Sequence, residues 1–122
     1  ILIVEDNANA REMLQTVLEL DGHEVAVAGS GLQGLEMIEF QRPEVALIDI
    51  GLPELDGYQV ARAVRRNPEN DRVFLVALTG YGQPDDRRQA IEAGFDAHLV
   101  KPVDLDRLTE IFARLRRRDS GS

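Results

Sequence analysis

Five short apolar runs recur along the chain, Ile1 to Val4, Val25 to Ala28, Val45 to Ile48, Val73 to Leu78 and Ala97 to Val100, each four to six residues long and mostly β-branched or aliphatic. Runs this short and this uniformly apolar suit strands covered on both faces. Between them, apolar residues return at three- and four-residue spacing: Met13, Leu14, Val17 and Leu18; Leu32, Leu35 and Ile38; Val60, Ala61 and Val64; Ala90 and Ile91. A last set, Leu105, Leu108, Ile111, Phe112 and Leu115, follows the fifth run. Each reads as an amphipathic helix with one buried stripe. Strands that alternate with helices in this way predict a parallel sheet sandwiched between helical layers, because parallel neighbours need a crossover between them.

Local punctuation agrees. Ser30 with Gln33 fits a capping box, and Asp104 is placed to cap the last helix. Gly22 and Gly94 stand where helix C-termini favour a left-handed residue, and Pro43 and Pro68 fall between elements. His23 and Glu24 make the second strand region the most polar, which suits a sheet edge. The sequence reads as one domain over residues 1–118, with a short polar tail at 119–122. It opens on Ile1-Leu2-Ile3-Val4 without an initiator Met, so the expectation is a piece of a longer polypeptide.

Composition narrows the chemistry. Fourteen basic against 22 acidic residues give a net charge of −8, the wrong sign for a phosphate backbone or an anionic membrane surface. No direct contact with nucleic acid or membrane is expected, and the setting expected is cytoplasmic. The arginines 114, 116, 117 and 118 read as a solvated helix end that complements the helix dipole. There is no cysteine, and the two histidines, His23 and His98, cannot build a zinc site alone. Any bound cation would be held by oxygen.

In an open parallel sheet, ligands bind at the carboxyl ends of the strands. Glu5 and Asp6 follow the first apolar run, Asp49 the third, Thr79 the fourth and Lys101 the fifth. Three carboxylates gathered at one edge repel one another unless a divalent cation sits among them, and Mg²⁺ suits a few carboxylate oxygens plus water and phosphoryl oxygens. Lys101 adds a point positive charge and Thr79 a hydroxyl donor. The set reads as a phosphoryl site. Glu5, Asp6 and Asn7 taken alone would read as a helix cap, Asp49 as a turn residue, and Asp56 as a turn or N-cap residue.

The residues Val4-Glu5-Asp6-Asn7, Asp49-Ile50-Gly51-Leu52-Pro53 with Asp56-Gly57, Thr79-Gly80 and Lys101-Pro102 resemble, in order and over essentially the whole chain, the receiver domains of bacterial two-component response regulators. The resemblance implies a CheY-like, flavodoxin-like three-layer sandwich, a doubly wound five-stranded sheet of order 2-1-3-4-5, and a cis peptide before Pro102. It further implies that Asp49 is the phosphoacceptor and that Glu5, Asp6, Asp49 and the carbonyl of Gly51 hold Mg²⁺. Thr79 and Lys101 would contact the phosphoryl group, and His98 would stand where the family commonly places an aromatic switch residue. His98 reads equally as a half-exposed structural histidine. Gly51 and Tyr81, two residues beyond Asp49 and Thr79, would border the phosphoryl group and influence water access.

The function expected is therefore phosphoryl acceptance from a histidine kinase or histidine phosphotransfer protein, followed by a conformational switch. A dimer through the face between the fourth strand and the fifth helix is one expectation. The stretch from Ala93 to Asp104 is similar to receivers at the C-terminus of hybrid sensor kinases. Two other readings compete. A phosphorylation-independent interaction module on the same fold would not need the full polar set. A Mg²⁺-dependent phosphatase with an aspartyl nucleophile would want an acid two residues after Asp49, where Gly51 stands.

Overall fold

In the computed structural model the described residues are 1–80 and 84–120, without the side chains of 84–86 and 117–120. The strands are β1 (Leu2–Val4), β2 (Ala26–Ala28), β3 (Val45–Asp49), β4 (Phe74–Thr79) and β5 (Ala97–Val100). They alternate with α1 (Ala8–Leu20), α2 (Gly31–Gln41), α3 (Gly57–Arg66), α4 (Pro84–Ala93) and α5 (Leu105–Ser120), and a 3₁₀ turn at Pro68–Asn70 precedes β4. All neighbours in the sheet are parallel and the order is β2-β1-β3-β4-β5. This is the doubly wound, three-layer architecture expected, with the polar β2 at an edge.

Period-two alternation along the strands sorts the core into two halves. Leu2, Val4, Ala46, Ile48, Leu75 and Ala77 pack with Ile38 of α2, Val60 and Val64 of α3, and Ala90 and Ala93 of α4. On the opposite face Ile3, Leu47, Val76, Leu78 and Leu99 pack with Leu18 of α1 and with Leu108, Ile111, Phe112 and Leu115 of α5. Central strands are thus apolar on both faces, and each helix contributes one stripe.

The structure departs from the sequence reading at element ends. Asp49 and Thr79 are the last residues of β3 and β4, whereas the apolar runs stop one residue earlier. Backbone pairing continues regardless of side-chain polarity: Asp49 pairs with Leu78, and Ile50 N–H donates to Leu78 O. The capping box expected at Ser30 is half formed. Ser30 Oγ accepts from Gln33 N–H at 3.1 Å, but Gln33 Oε1 reaches past it to Gly29 N–H at 2.9 Å. The reciprocal box stands instead at Asp56 and Gln59, at the start of α3. Gly22 and Gly94 have positive φ as expected, and Asp104 Oδ1 caps Asp106 N–H at 2.9 Å. The α5 backbone runs to Ser120, two residues into the span read as a tail. Among the described residues no helix is long and apolar enough to cross a membrane.

Candidate functional site

Parallel register carries four polar positions to one edge of the sheet. Val4 pairs with Ile48, which sets Glu5 level with Asp49. Asp49 pairs with Leu78, so Thr79 stands one step beyond it, and Thr79 pairs with Val100, so Lys101 is the next step. Residues scattered from 5 to 101 in the chain thereby become neighbours.

The nearest carboxylate oxygens of Glu5, Asp6 and Asp49 all lie within 4.8 Å of one another. Glu5 and Asp49 are buried, at 3% and 9% exposure, whereas Asp6 faces solvent. Lys101 Nζ bridges the two buried carboxylates, 2.8 Å from Glu5 Oε1 and 3.0 Å from Asp49 Oδ2. Gly51 N–H donates to Asp49 Oδ1 at 2.9 Å. A cis peptide joins Lys101 to Pro102.

These contacts divide the charge unevenly. Burial first, and then the neighbouring Asp49 carboxylate, push the Glu5 carboxyl up to about 7 in spite of Lys101. For Asp49 burial acts in the same sense, but hydrogen bonds with Glu5, Gly51 N–H and Lys101 outweigh it and hold the carboxyl below its ordinary range. Burial lowers Lys101, and the two carboxylates more than reverse that. Asp49 is consequently the ionised member of the buried pair at neutral pH.

A hard divalent cation fits this donor set. Three carboxylates converge with only oxygen to offer, and Glu5 Oε2 is buried with no hydrogen-bond partner. Among the described residues no other group of three His, Asp or Glu side chains converges in this way.

Thr79 is fully buried, and its hydroxyl donates to Leu99 O at 3.4 Å. The side chain thus points inward in this structure. By strand alternation Thr79 lies on the face of Leu75 and Ala77, and His98, which pairs with Ala77, shares that face two residues down β5. His98 lines a cleft of about 560 Å³ between α4, β5 and α5. Burial, then the cations of Arg87 and Arg107, lower its pKa and keep the imidazole neutral. Tyr81 lies outside the described residues, as do the side chains of Arg117 and Arg118.

Sequence reading missed the donors that act on the main chain. Arg11 Nη1 donates to Glu5 O at 2.9 Å. Arg65 donates to Gly94 O, Asn70 O and Val73 O and to Asp96 Oδ2, binding α3 to three segments at the opposite end of the sheet. Neither is announced by a motif, because a backbone carbonyl can be supplied by any residue type.

Known proteins match this chain in both sequence and fold. It is 33% identical over 110 residues to sporulation initiation phosphotransferase F of Bacillus subtilis, covering 90% of this chain and 87% of that one. Several other curated relatives are longer, and the chain spans about half their length, from 44% to 50%. A solved receiver domain of a Pseudomonas aeruginosa sensor histidine kinase, with a magnesium ion coordinated in its active-site cleft, superposes with a TM-score of 0.85 at 33% identity, covering 93% of each chain. The receiver domain of a Saccharomyces cerevisiae response regulator, solved with its histidine phosphotransfer protein, gives a TM-score of 0.82 at 27% identity over 88% of this chain and 81% of that one. With the description "response regulator receiver domain" matching residues 1–113, this chain belongs to the receiver-domain family of two-component signalling.

Proposed function

We propose that this receiver takes a phosphoryl group onto Asp49 from a phosphohistidine of a histidine kinase or histidine phosphotransfer protein. The observation that carries the reading is the setting of Asp49: at the top of β3, with Lys101 Nζ 3.0 Å from one oxygen and Gly51 N–H 2.9 Å from the other, contacts that favour its ionised form. An Asp49 oxygen attacks phosphorus and the P–N bond breaks with its electron pair going to nitrogen; a proton on the other ring nitrogen of the donor phosphohistidine lets the imidazole leave as a neutral ring. No general base is needed, because the nucleophile carries no proton.

Glu5, Asp6, Asp49 and the carbonyl of Gly51 are the ligands assigned to Mg²⁺. When bound, the ion supplies positive charge beside the phosphoryl oxygens. Lys101 exchanges its carboxylate partners for a phosphoryl oxygen. Thr79 does the same by turning its hydroxyl from Leu99 O, a long bond that is cheap to give up. That rotation changes packing on the sheet face shared with His98 and alters the cleft between α4, β5 and α5, which is the output or dimerisation surface. The parent we infer is cytoplasmic. A hybrid sensor kinase is the reading supported by the similarity to receivers of sensor kinases.

Incubation with acetyl phosphate, followed by intact mass, tests the assignment. One added phosphoryl group should appear with Mg²⁺, disappear with EDTA, and be absent in Asp49→Asn. Addition that survives the substitution would place the acceptor elsewhere. No addition under any condition would favour an interaction module that works without phosphorylation.

A further inference from the structure

Asp6 and Glu5 are adjacent in sequence, and adjacent side chains leaving an extended strand point to opposite faces. Here one is buried and the other faces solvent, yet their carboxylate oxygens converge with Asp49 inside 4.8 Å. The peptide plane that joins them must therefore be held at a set orientation, since the two soft dihedrals on either side of it would otherwise let the carboxylates diverge. One polar group of that plane is gripped directly, and the peptide before it is fixed as well. Glu5 N–H donates to Ala28 O at 3.1 Å, and the carbonyl oxygen of Glu5, which belongs to the plane itself, accepts from Arg11 Nη1 at 2.9 Å.

Arg11 reaches this carbonyl from the first turns of α1, whose N-terminus is fixed by Asn7 Oδ1 accepting from Ala10 N–H at 3.0 Å. The guanidinium lies against the β2–α2 loop. A Cβ on Gly29 would stand 3.3 Å from Arg11 Nη1, so the absence of a side chain there leaves the arm its room. The planar fork is aimed at main chain rather than at the carboxylates. Among the described residues, the salt bridges to Glu5 and Asp49 come from Lys101 alone. The carboxylate oxygens thus stay available while their backbone is clamped from behind.

We propose that Arg11 is a positioning residue for the metal site, orienting the Glu5–Asp6 peptide so that both carboxylates face Asp49. The assignment rests on the reading that Glu5, Asp6 and Asp49 hold Mg²⁺. It also predicts a sign that simple electrostatics would not give: a cation near the cluster repels Mg²⁺ through space, so deleting its charge would tighten binding unless positioning dominates.

Isothermal titration of Mg²⁺ into the wild-type protein, Arg11→Met and Arg11→Lys, with thermal midpoints taken in EDTA, tests this. Arg11→Met should weaken Mg²⁺ binding about tenfold or more, the usual effect of losing an outer-shell partner. Arg11→Lys, which retains a donor able to reach the carbonyl, should recover most of that loss. Metal-free midpoints should agree within a few degrees. Unchanged or tighter binding in Arg11→Met would overturn the assignment, and so would a loss in both variants that simply follows a fall in metal-free stability. Absence of Mg²⁺ binding by the wild-type protein would overturn the site reading itself, and the Arg11 assignment with it.

Discussion

Lys101 Nζ lies 2.8 Å from Glu5 Oε1, closing an ion pair between residues 96 positions apart in the chain. The same ammonium reaches Asp49 Oδ2, so one cation compensates two buried carboxylates. Replacing it with Met leaves the buried Asp49 carboxylate without its cation and favours a proton on Glu5. Lys101→Met should cost about 1–2 kcal/mol of stability in metal-free protein, a figure reduced for the partial exposure of the lysine. It should also slow phosphoryl transfer by roughly a hundredfold, as loss of a charge-stabilising donor does. Thermal melts and single-turnover labelling measure the two effects separately.

With Glu5 as a proposed Mg²⁺ ligand, a proton on its carboxyl would compete with the ion. With its carboxyl raised to about 7, metal binding at pH 6 must displace nearly one proton, and at pH 8 almost none. Affinity should fall up to tenfold for each pH unit below 7. Titration in two buffers of different ionisation enthalpy counts the protons released. A proton count of zero at pH 6 would contradict the raised carboxyl.

The same carboxyl sets the sign of the pH–stability curve without metal. Unfolded, Glu5 ionises near 4.5; folded, it resists until about 7, so the fold loses stability as pH rises through that interval and levels off above it. The loss is at most about 3–4 kcal/mol, because one pKa unit corresponds to roughly 1.4 kcal/mol. Asp49, held low, acts oppositely: its contribution is present above the ordinary aspartate range and is lost only as pH falls through its depressed value. Melts between pH 5 and 8 in EDTA should therefore show a falling midpoint, and added Mg²⁺ should flatten the trend.

Gly57 lets the start of α3 lie against Asp49. A Cβ there would stand 2.7 Å from Asp49 O and 2.6 Å from the Ile50 Cα, both backbone atoms that cannot step aside. Gly57→Ala should cost about 2 kcal/mol through overpacking and should displace Asp49 from Lys101. A lowered midpoint together with slower labelling is the expected result. A lowered midpoint with an unchanged labelling rate would mean the strain relaxes away from β3.

Arg65 provides a contrast at the far end of the sheet. Its four hydrogen bonds join α3 to the 3₁₀ turn, to Val73 just before β4 and to the α4–β5 turn, and Asp96 Oδ2 also accepts from Leu75 N–H. An ammonium cannot reproduce that planar fork. Arg65→Lys should lower stability by about 1–3 kcal/mol and leave Mg²⁺ affinity unchanged. Denaturant unfolding and metal titration on the same preparation decide it.

Much of this molecule is legible before any coordinates. The apolar runs specify the strands because a doubly covered parallel sheet admits little else, and once the sheet order is known, residues following successive strands must share an edge. Glu5, Asp6, Asp49, Thr79 and Lys101 are found on that logic alone. Element ends were harder, since the ladder at Asp49 and Thr79 is made by backbone, which side-chain polarity does not report. The hydroxyl of Thr79 bonding Leu99 O, and the arms of Arg11 and Arg65, could not be read either. Their acceptors are peptide carbonyls, and only the folded path brings them within reach.

The stepwise register from β1 through β3 and β4 to β5 has a consequence for biosynthesis. A chain emerging from the ribosome has Asp49, the proposed nucleophile, well before the lysine at 101 that neutralises its surroundings. Until the last strand docks, Asp49 lacks the cation that lies 3.0 Å from it in the finished fold. On the proposed assignment a labelled receiver is a finished one, and a chain cut between β3 and β5 keeps Asp49 without the lysine that compensates it.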